Sequence, residues 1–371
     1  MSHRIALAAG GTGGHLFPAV ALARELVARG HTVTVLTDPR GARFDAGVSV
    51  RSVPATRLSG GIGAKLGGAF QLLQGMVSAA WHLRRDGTQL LVGFGGYPSV
   101  APVLAAKLIG VPVVVHEQNA VLGRANARLA RYARLVATSF PQVEGLGRRP
   151  QQLTGNPIRD EVAAARTVPY HPSASDEPFR LLVFGGSQGA HVFSEVVPAA
   201  CALLPPCQSS RLRVTQQARP EDIGATAAAY GDLGIEAEVA PFFADLPDRM
   251  AAAHLVVARA GASTIAEVLA IGRPAVLVPY PHAMDDHQTA NAQAAEDAGA
   301  AWLMPQTAFT AEALGGRLET LLNLPECAEK VAKRAHNLGR PDAASRLADV
   351  IESVLSAGEQ APQGALRSIA S

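Results

Sequence analysis

Charge and aromatic side chains are both scarce in this sequence. Only 17% of its 371 residues are charged and 5% aromatic, and 33 Lys and Arg against 31 Asp and Glu leave a net charge of +2. That balance excludes the broad basic footprint of a nucleic-acid binder, and the apolar content argues against a disordered chain. Cysteine is rarer still: Cys201, Cys207 and Cys327 form no CxxC pair and no even-numbered framework, so neither a disulfide scaffold nor a zinc site is expected. No apolar run reaches the roughly 18 residues that a membrane-spanning helix needs. The opening MSHRIALAAGGTGG breaks into glycines too early for a secretory signal, so a cytoplasmic protein is expected.

What remains is an apolar-rich chain, 48% hydrophobic and long enough for two cores. Buried parallel strands read as continuous runs of Val, Leu and Ile, and such runs recur here between helical patterns. Arg4 to Ala9 runs into GGTGGH, and Phe17 to Arg29 then repeats at helical period before stopping at Gly30. Further strands are expected at 31–36, 90–92, 111–115 and 135–137. The design restarts at Phe179, where FRLLVF runs into GGSQGAH and a helix beginning near Val192. Strands at 211–215, 237–239, 255–258 and 275–278 follow. This alternation predicts an α/β chain of two Rossmann-like domains with parallel sheets. The expected boundaries are an N-terminal domain over 1–160, a Pro- and Ser-rich linker with the hinge over 161–178, and a C-terminal domain over 179–342. A helix over 343–357 and a flexible tail over 358–371 complete the chain.

Glycine loops after a strand let backbone N–H groups approach a ligand, and the following helix aims its positive end at the same place. A tight turn required by packing alone is the competing explanation for either loop. The dinucleotide-binding alternative puts a ribose-binding acid at Asp38, but Leu16 stands where the third Gly or Ala of that fingerprint belongs. A P-loop is excluded because neither loop ends in Lys-Ser or Lys-Thr. His15, at a helix N-terminus whose field disfavours its protonated form, is a candidate base. GFGGYPS at 93–99 and HEQN at 116–119 fall on the same carboxyl edge, where open α/β sheets bind ligands. In the second half, Ser263 and Glu267 of ARAGASTIAEVLAIGRP suit either helix capping or, for Glu267, acceptance of two ribose hydroxyl hydrogens.

Read in order, GGTGGH, GGYPS, HEQN, GNPIR, GGSQGA and ARAGASTIAE resemble the lipid-linked N-acetylglucosaminyltransferases of peptidoglycan synthesis, over nearly the whole chain. The resemblance implies the GT-B fold, two Rossmann-like domains facing each other across a cleft, with the C-terminal helix crossing back to the first domain. By motif, Glu267 would hold the ribose, Phe243 would present backbone groups to the uracil, and Arg159 and Ser187 would contact the nucleotide and its phosphates. Ala262, Ser263, Thr264, Ile265 and Ala266 would line the nucleotide pocket. Thr12, Gly13, Gly14, Asn119 and Gln288 would contact the transferred sugar. The family more often has a glutamine pair where His287 precedes Gln288 here.

The implied reaction inverts the anomeric centre. The C4 hydroxyl of undecaprenyl-diphosphate-linked N-acetylmuramoyl-pentapeptide attacks UDP-N-acetylglucosamine, and UDP leaves. His15 is the first candidate base and Glu117 the second, with Arg159 or Arg259 and helix N-termini stabilising the diphosphate. No Asp-x-Asp motif is present, so neither metal nor cofactor is expected. The lipid acceptor implies peripheral attachment at the cytoplasmic face of the inner membrane and contact with other cell-wall synthesis proteins. Leu66, Phe70, Leu73, Val77 and Trp81 recur at helical spacing, flanked by Lys65, Arg84 and Arg85, as a surface-seeking helix would require. Core packing competes as the explanation of that stripe. The other functional readings are a different GT-B enzyme, such as a UDP-N-acetylglucosamine 2-epimerase or a transferase with a soluble or glycolipid acceptor, and a noncatalytic nucleotide-binding module.

Overall fold

A computed structural model describes residues 2–10, 13–39, 47–55, 62–186 and 189–359. The expected tail beyond residue 359, and the expected ligand contacts Thr12 and Ser187, lie outside the described residues. Two compact units divide the chain.

The first unit holds residues 1–118 and 122–157 and is rejoined by residues 342–371. Its elements run β1 (Arg4–Ala8), α1 (Gly13–Ala28), β2 (Thr32–Thr37), β3 (Ser49–Ser52), α2 (Ile62–Arg85), β4 (Leu90–Gly93), α3 (Val100–Leu108), β5 (Val113–Glu117), α4 (Arg124–Leu129), β6 (Leu135–Thr138) and β7 (Gln151–Leu153). The strands form one parallel sheet in the order β3-β2-β1-β4-β5-β6-β7, with Ile5 opposite Val33 on one side and Leu90 on the other. Successive β1 side chains point to opposite faces, so Ile5 and Leu7 join one apolar cluster while Ala6 and Ala8 join another.

Residues 119–121 and 158–341 make the second unit. It contains α5 (Asp160–Ala165), β8 (Phe179–Phe184), α6 (His191–Ala202), α7 (Pro206–Ser209), β9 (Leu212–Gln217), α8 (Ile223–Asp232), β10 (Glu236–Ala240), α9 (Leu246–Ala252), β11 (Leu255–Ala258), α10 (Ala262–Ile271), β12 (Ala275–Leu277), α11 (His287–Asp297), β13 (Trp302–Leu303), α12 (Ala311–Asn323) and α13 (Pro325–Leu338). Its parallel sheet has the order β10-β9-β8-β11-β12-β13. Both sheets therefore reverse direction beside their first strand, at β1/β4 and at β8/β11, the positions where doubly wound sheets leave a crevice at their carboxyl ends.

The segment read as a linker differs from that reading. The boundary falls between Pro157 and Ile158, and 161–178 belongs to the second unit, beginning inside α5. Side chains strap it down: Tyr170 packs on the second core and donates its hydroxyl to the His254 carbonyl at 3.1 Å, while Arg273 Nη2 donates to the Val168 carbonyl at 2.9 Å. Proline and serine mark loss of periodicity, not loss of contact.

The last helix, α14 (Ala343–Glu359), belongs to the first unit, where Leu347, Ala348, Ile351 and Leu355 are buried with Ile5, Leu7 and Leu26. Polar contacts pin its outer face. Arg29 Nη1 reaches Asp349 at 2.6 Å and Glu352 at 3.0 Å, and His31 Nε2 meets Glu352 at 2.9 Å.

On α2, burial is not the explanation of the apolar stripe. Phe70, Leu73, Val77 and Trp81 are 61%, 56%, 64% and 54% exposed, whereas Ala79 and Leu83 face the core. Arg85 lies over the Trp81 ring at 4.9 Å from its centroid. The side chains of Lys65 and Leu66 lie outside the described residues. Among the described residues no helix is long and apolar enough to cross a membrane.

Candidate active site

On the first sheet, β1, β4 and β5 are neighbours, so the loops that leave them share one edge. The helix begins earlier than its apolar period suggests, at Gly13, which places Gly13, Gly14 and His15 in the first turn of α1. Gly96, at φ +70°, lets the His15 ring lie against the neighbouring loop: a Cβ added there would come within 2.9 Å of His15 Cδ2. Asp38, the residue a ribose would need in a dinucleotide fold, is buried and accepts the Tyr97 hydroxyl at 3.3 Å.

Most of HEQN holds this edge together. His116 is fully buried and shares a hydrogen bond with the Gly155 carbonyl at 3.0 Å, so Nε2 carries the proton. Burial lowers its pKa to about 4, with nearby His15 adding to the effect. Glu117 is buried at the end of β5, and its Oε2 accepts from the Gly123 amide at 3.0 Å and from Asn126 Nδ2 at 2.8 Å. Gln118 donates to the Phe94 carbonyl at 2.8 Å. Asn119, by contrast, belongs to the second unit.

There Asn119 meets a residue that the sequence did not single out. Asn291, wholly buried on α11, donates to Asn119 Oδ1 at 3.1 Å and to the Ala260 carbonyl at 3.2 Å, and accepts the Ala120 amide at 2.8 Å. One carboxamide thus fastens 119–121 to the turn that opens α10. Its only signal in the sequence is a polar residue one turn beyond Gln288. Gln288 itself accepts the Tyr280 amide at 2.9 Å. Just before it, Asp285 and Asp286 both have positive φ, a local strain that aspartate tolerates better than most residues.

Capping does not account for Ser263 and Glu267. Gly261 is the N-cap of α10 and no side chain caps it. Ser263 Oγ is buried and has no hydrogen-bond partner among the described residues. An orphaned hydroxyl in the first turn of a helix suits a ligand oxygen. Glu267 is buried and forms a two-pronged pair with Arg159, Nε to Oε1 at 3.2 Å and Nη2 to Oε2 at 3.1 Å. Burial raises its pKa and Arg159 opposes the rise. Ala262, Thr264, Ile265 and Ala266 share the same helix start, with Ile265 turned into the core.

Arg259 precedes that turn. Its guanidinium donates to the carbonyls of Val278 and Pro279 at 3.2 and 3.1 Å and to Gln306 Oε1 at 2.7 Å. It also lies over the rings of Phe193 and Tyr280. Phe243 follows β10, with its ring buried beneath the Arg249 guanidinium. β10 and β11 are three strand spacings apart, about 14 Å, so Phe243 and the start of α10 stand at separate points along one sheet edge.

The chain matches two family models, the N-terminal domain of glycosyltransferase family 28 over residues 5–138 and its C-terminal domain over residues 180–347. The UDP-N-acetylglucosamine-N-acetylmuramyl-(pentapeptide) pyrophosphoryl-undecaprenol N-acetylglucosamine transferase of Rhodospirillum centenum is 51% identical, with 98% of each chain covered. MurG of Acinetobacter baumannii, a crystal structure, superposes with a TM-score of 0.78 at 33% identity, covering 95% of this chain and 99% of that one. A Listeria monocytogenes protein described as a UDP-N-acetylglucosamine 2-epimerase superposes at 0.68 over 96% of this chain and 97% of its own, but at 15% identity it shares the fold alone.

Proposed function

Because this chain belongs to glycosyltransferase family 28, we propose that it transfers N-acetylglucosamine from UDP-N-acetylglucosamine to the C4 hydroxyl of undecaprenyl-diphosphate-linked N-acetylmuramoyl-pentapeptide. The observation that carries the reading is the 51% identity, end to end, with a relative named for that transfer. In the reaction the acceptor oxygen forms a bond to the anomeric carbon as the bond to the UDP oxygen breaks. The electron pair leaves with UDP, and the hydroxyl proton passes to a base.

His15 is the base in this proposal. Glu117, the other candidate, commits Oε2 to the Gly123 amide and Asn126, a geometry that fits positioning of the loop after β5 better than proton abstraction. On the donor side Glu267, oriented by Arg159, accepts the ribose hydroxyls through its remaining lone pairs, and Ser263 Oγ takes a nucleotide oxygen. The backbone of Ala262, Thr264, Ile265 and Ala266 lines the same pocket, and the backbone at Phe243 reads the uracil. Gly13 and Gly14 in the first unit, and Asn119 and Gln288 in the second, keep the sugar-contacting roles implied by their motifs. Arg259 supplies positive charge to the departing diphosphate. Thr12 and Ser187 keep the roles implied by their motifs.

The exposed stripe on α2 attaches the protein peripherally to the cytoplasmic face of the plasma membrane, where its acceptor resides. Four large apolar side chains on one exposed helix face, beside Arg84 and Arg85, match the amphipathic pattern of a helix lying in an anionic interface. Trp81→Ser together with Phe70→Ser should abolish flotation with anionic vesicles while leaving turnover of a detergent-solubilised acceptor intact; unchanged flotation would refute the attachment site.

The test of the reaction is transfer of label from radiolabelled UDP-N-acetylglucosamine to the lipid fraction containing the muramyl-pentapeptide acceptor. The expected result is label in lipid, strongly reduced in His15→Ala. Label appearing instead in a second UDP-sugar without acceptor would overturn the reading in favour of an epimerase.

A further inference from the structure

The glycine loop after β8 lies between two arginines, one strand to either side, and only one of them, Arg259, has a motif behind it. The other, Arg219, leaves the end of β9. Its position follows from two contacts. Gln217, the last residue of β9, accepts the Gly185 amide through Oε1 at 3.1 Å and donates to the Pro241 carbonyl at 3.1 Å, which fixes the loop after β9 to the glycine loop after β8. Gly189, at φ +66°, has no side chain to hold Arg219 away: a Cβ there would come within 3.1 Å of Arg219 Cγ. The Arg219 carbonyl accepts the amides of Asp222 and Ile223 at 2.8 and 3.2 Å, so its backbone is anchored ahead of α8.

Neither guanidinium has a carboxylate partner among the described residues, whereas the nearby Asp222 is engaged by His191 at 2.8 Å. The charge of Arg219 also reaches Arg259, whose pKa is lowered by burial first, with Tyr280 opposing the fall and Arg219 adding to it. Two cations without carboxylate partners that feel each other repel, at a cost to the fold. An anion placed between them relieves that cost, and a diphosphate has enough charged oxygens to meet both guanidiniums. Arg159, the cation expected to contact phosphate, is already paired with Glu267.

We propose that Arg219 is a further diphosphate-binding residue of the donor site, flanking the glycine loop opposite Arg259 and helping to neutralise UDP as it leaves. The proposal rests on the donor reading given above. It assigns Arg219 to the phosphates and not to the nucleoside, and that distinction makes it testable.

Calorimetric titration of the full chain with UDP and with uridine, for the unsubstituted protein, Arg219→Ala, Arg219→Gln and Arg219→Lys, separates the possibilities. Arg219→Ala and Arg219→Gln should each weaken UDP by about 10- to 100-fold with uridine unchanged, and Arg219→Lys should recover part of the loss. The salt dependence of UDP binding should flatten in the neutral variants. An unaltered UDP-to-uridine ratio, or an equal loss of both ligands, would overturn the role of Arg219 while leaving the donor site standing. An unsubstituted protein that does not prefer UDP to uridine would overturn the donor reading itself.

Discussion

The two glycine loops of this chain begin alike and end in different chemistry. Each leaves the first strand of a parallel sheet at the point where strand order reverses, and each is followed by a helix. The first carries an imidazole in the opening turn of its helix, against a glycine that gives the ring room. The second is flanked by guanidiniums and lies near a helix start with an orphaned hydroxyl. In the function proposed above, the same order of strand, glycine loop and helix serves once as a place to take a proton and once as a place to hold an anion. What differs is the neighbouring strands' loops: beside β1 they bring the buried Asp38 after β2 and the glycine turn at Gly96 after β4, beside β8 they bring arginines.

If that division holds, substitutions on the two sides should fail in different measurements. The largest effect is expected for His15→Ala, which should lower kcat for sugar transfer by about 10²- to 10⁴-fold while UDP affinity stays within about twofold. A parallel loss of UDP affinity would break the division. Glu267→Gln comes next, with an increase of about 10- to 100-fold in the donor KM and a smaller change in kcat, because a neutral amide neither matches the Arg159 clamp nor accepts both ribose hydroxyls. Steady-state kinetics against donor concentration would expose an effect confined to kcat, which would place Glu267 with the chemistry.

Acid should weaken both halves through buried imidazoles, His116 in the first unit and His254 in the second, each with its pKa lowered to about 4 mainly by burial. The unfolded chain takes up these protons near the ordinary value of 6.5, so stability is full above that pH and declines as the pH falls toward 4. For the fully buried His116 the loss approaches about 3 kcal/mol. Urea unfolding at pH 7.5, 6 and 5 would measure it, and a stability that is flat across this range would contradict it. The smallest effect is expected for Asn291→Ala, about 1–3 kcal/mol from the lost clamp on 119–121. Thermal unfolding of that variant, compared with its acceptor KM, would separate loop anchoring from a direct hold on substrate.

Much of this architecture is legible in the sequence because buried parallel strands advertise themselves. RIALA and FRLLVF can hardly be anything else, and the motifs that follow them fall on the carboxyl edge. The strands that escaped, SVRS, QQL and WL, are short, border one neighbour or lie partly exposed, and so lack the apolar run. Glu267 was legible as a candidate site residue from its helix start, but its pairing with Arg159, 108 positions earlier, was not. Nothing in local pattern reports which distant guanidinium a buried carboxylate meets. Asn291 and Arg219 escaped for the same reason. The apolar stripe on α2 was legible as a pattern, but helical periodicity cannot say whether a stripe faces core or water.

The return of α14 to the first unit has a consequence for how the protein is made. Leu347, Ile351 and Leu355 complete the apolar cluster around Ile5 and Leu7, so the half that is synthesised first is finished last. On the ribosome, the second unit has all its strands before α14 emerges, whereas β1 must wait for a partner more than 300 positions downstream. Such a late, non-local closure is slow and keeps apolar surface open in the meantime. Nascent chains stalled before residue 343 should therefore recruit holding chaperones to their N-terminal half, and emergence of α14 releases them.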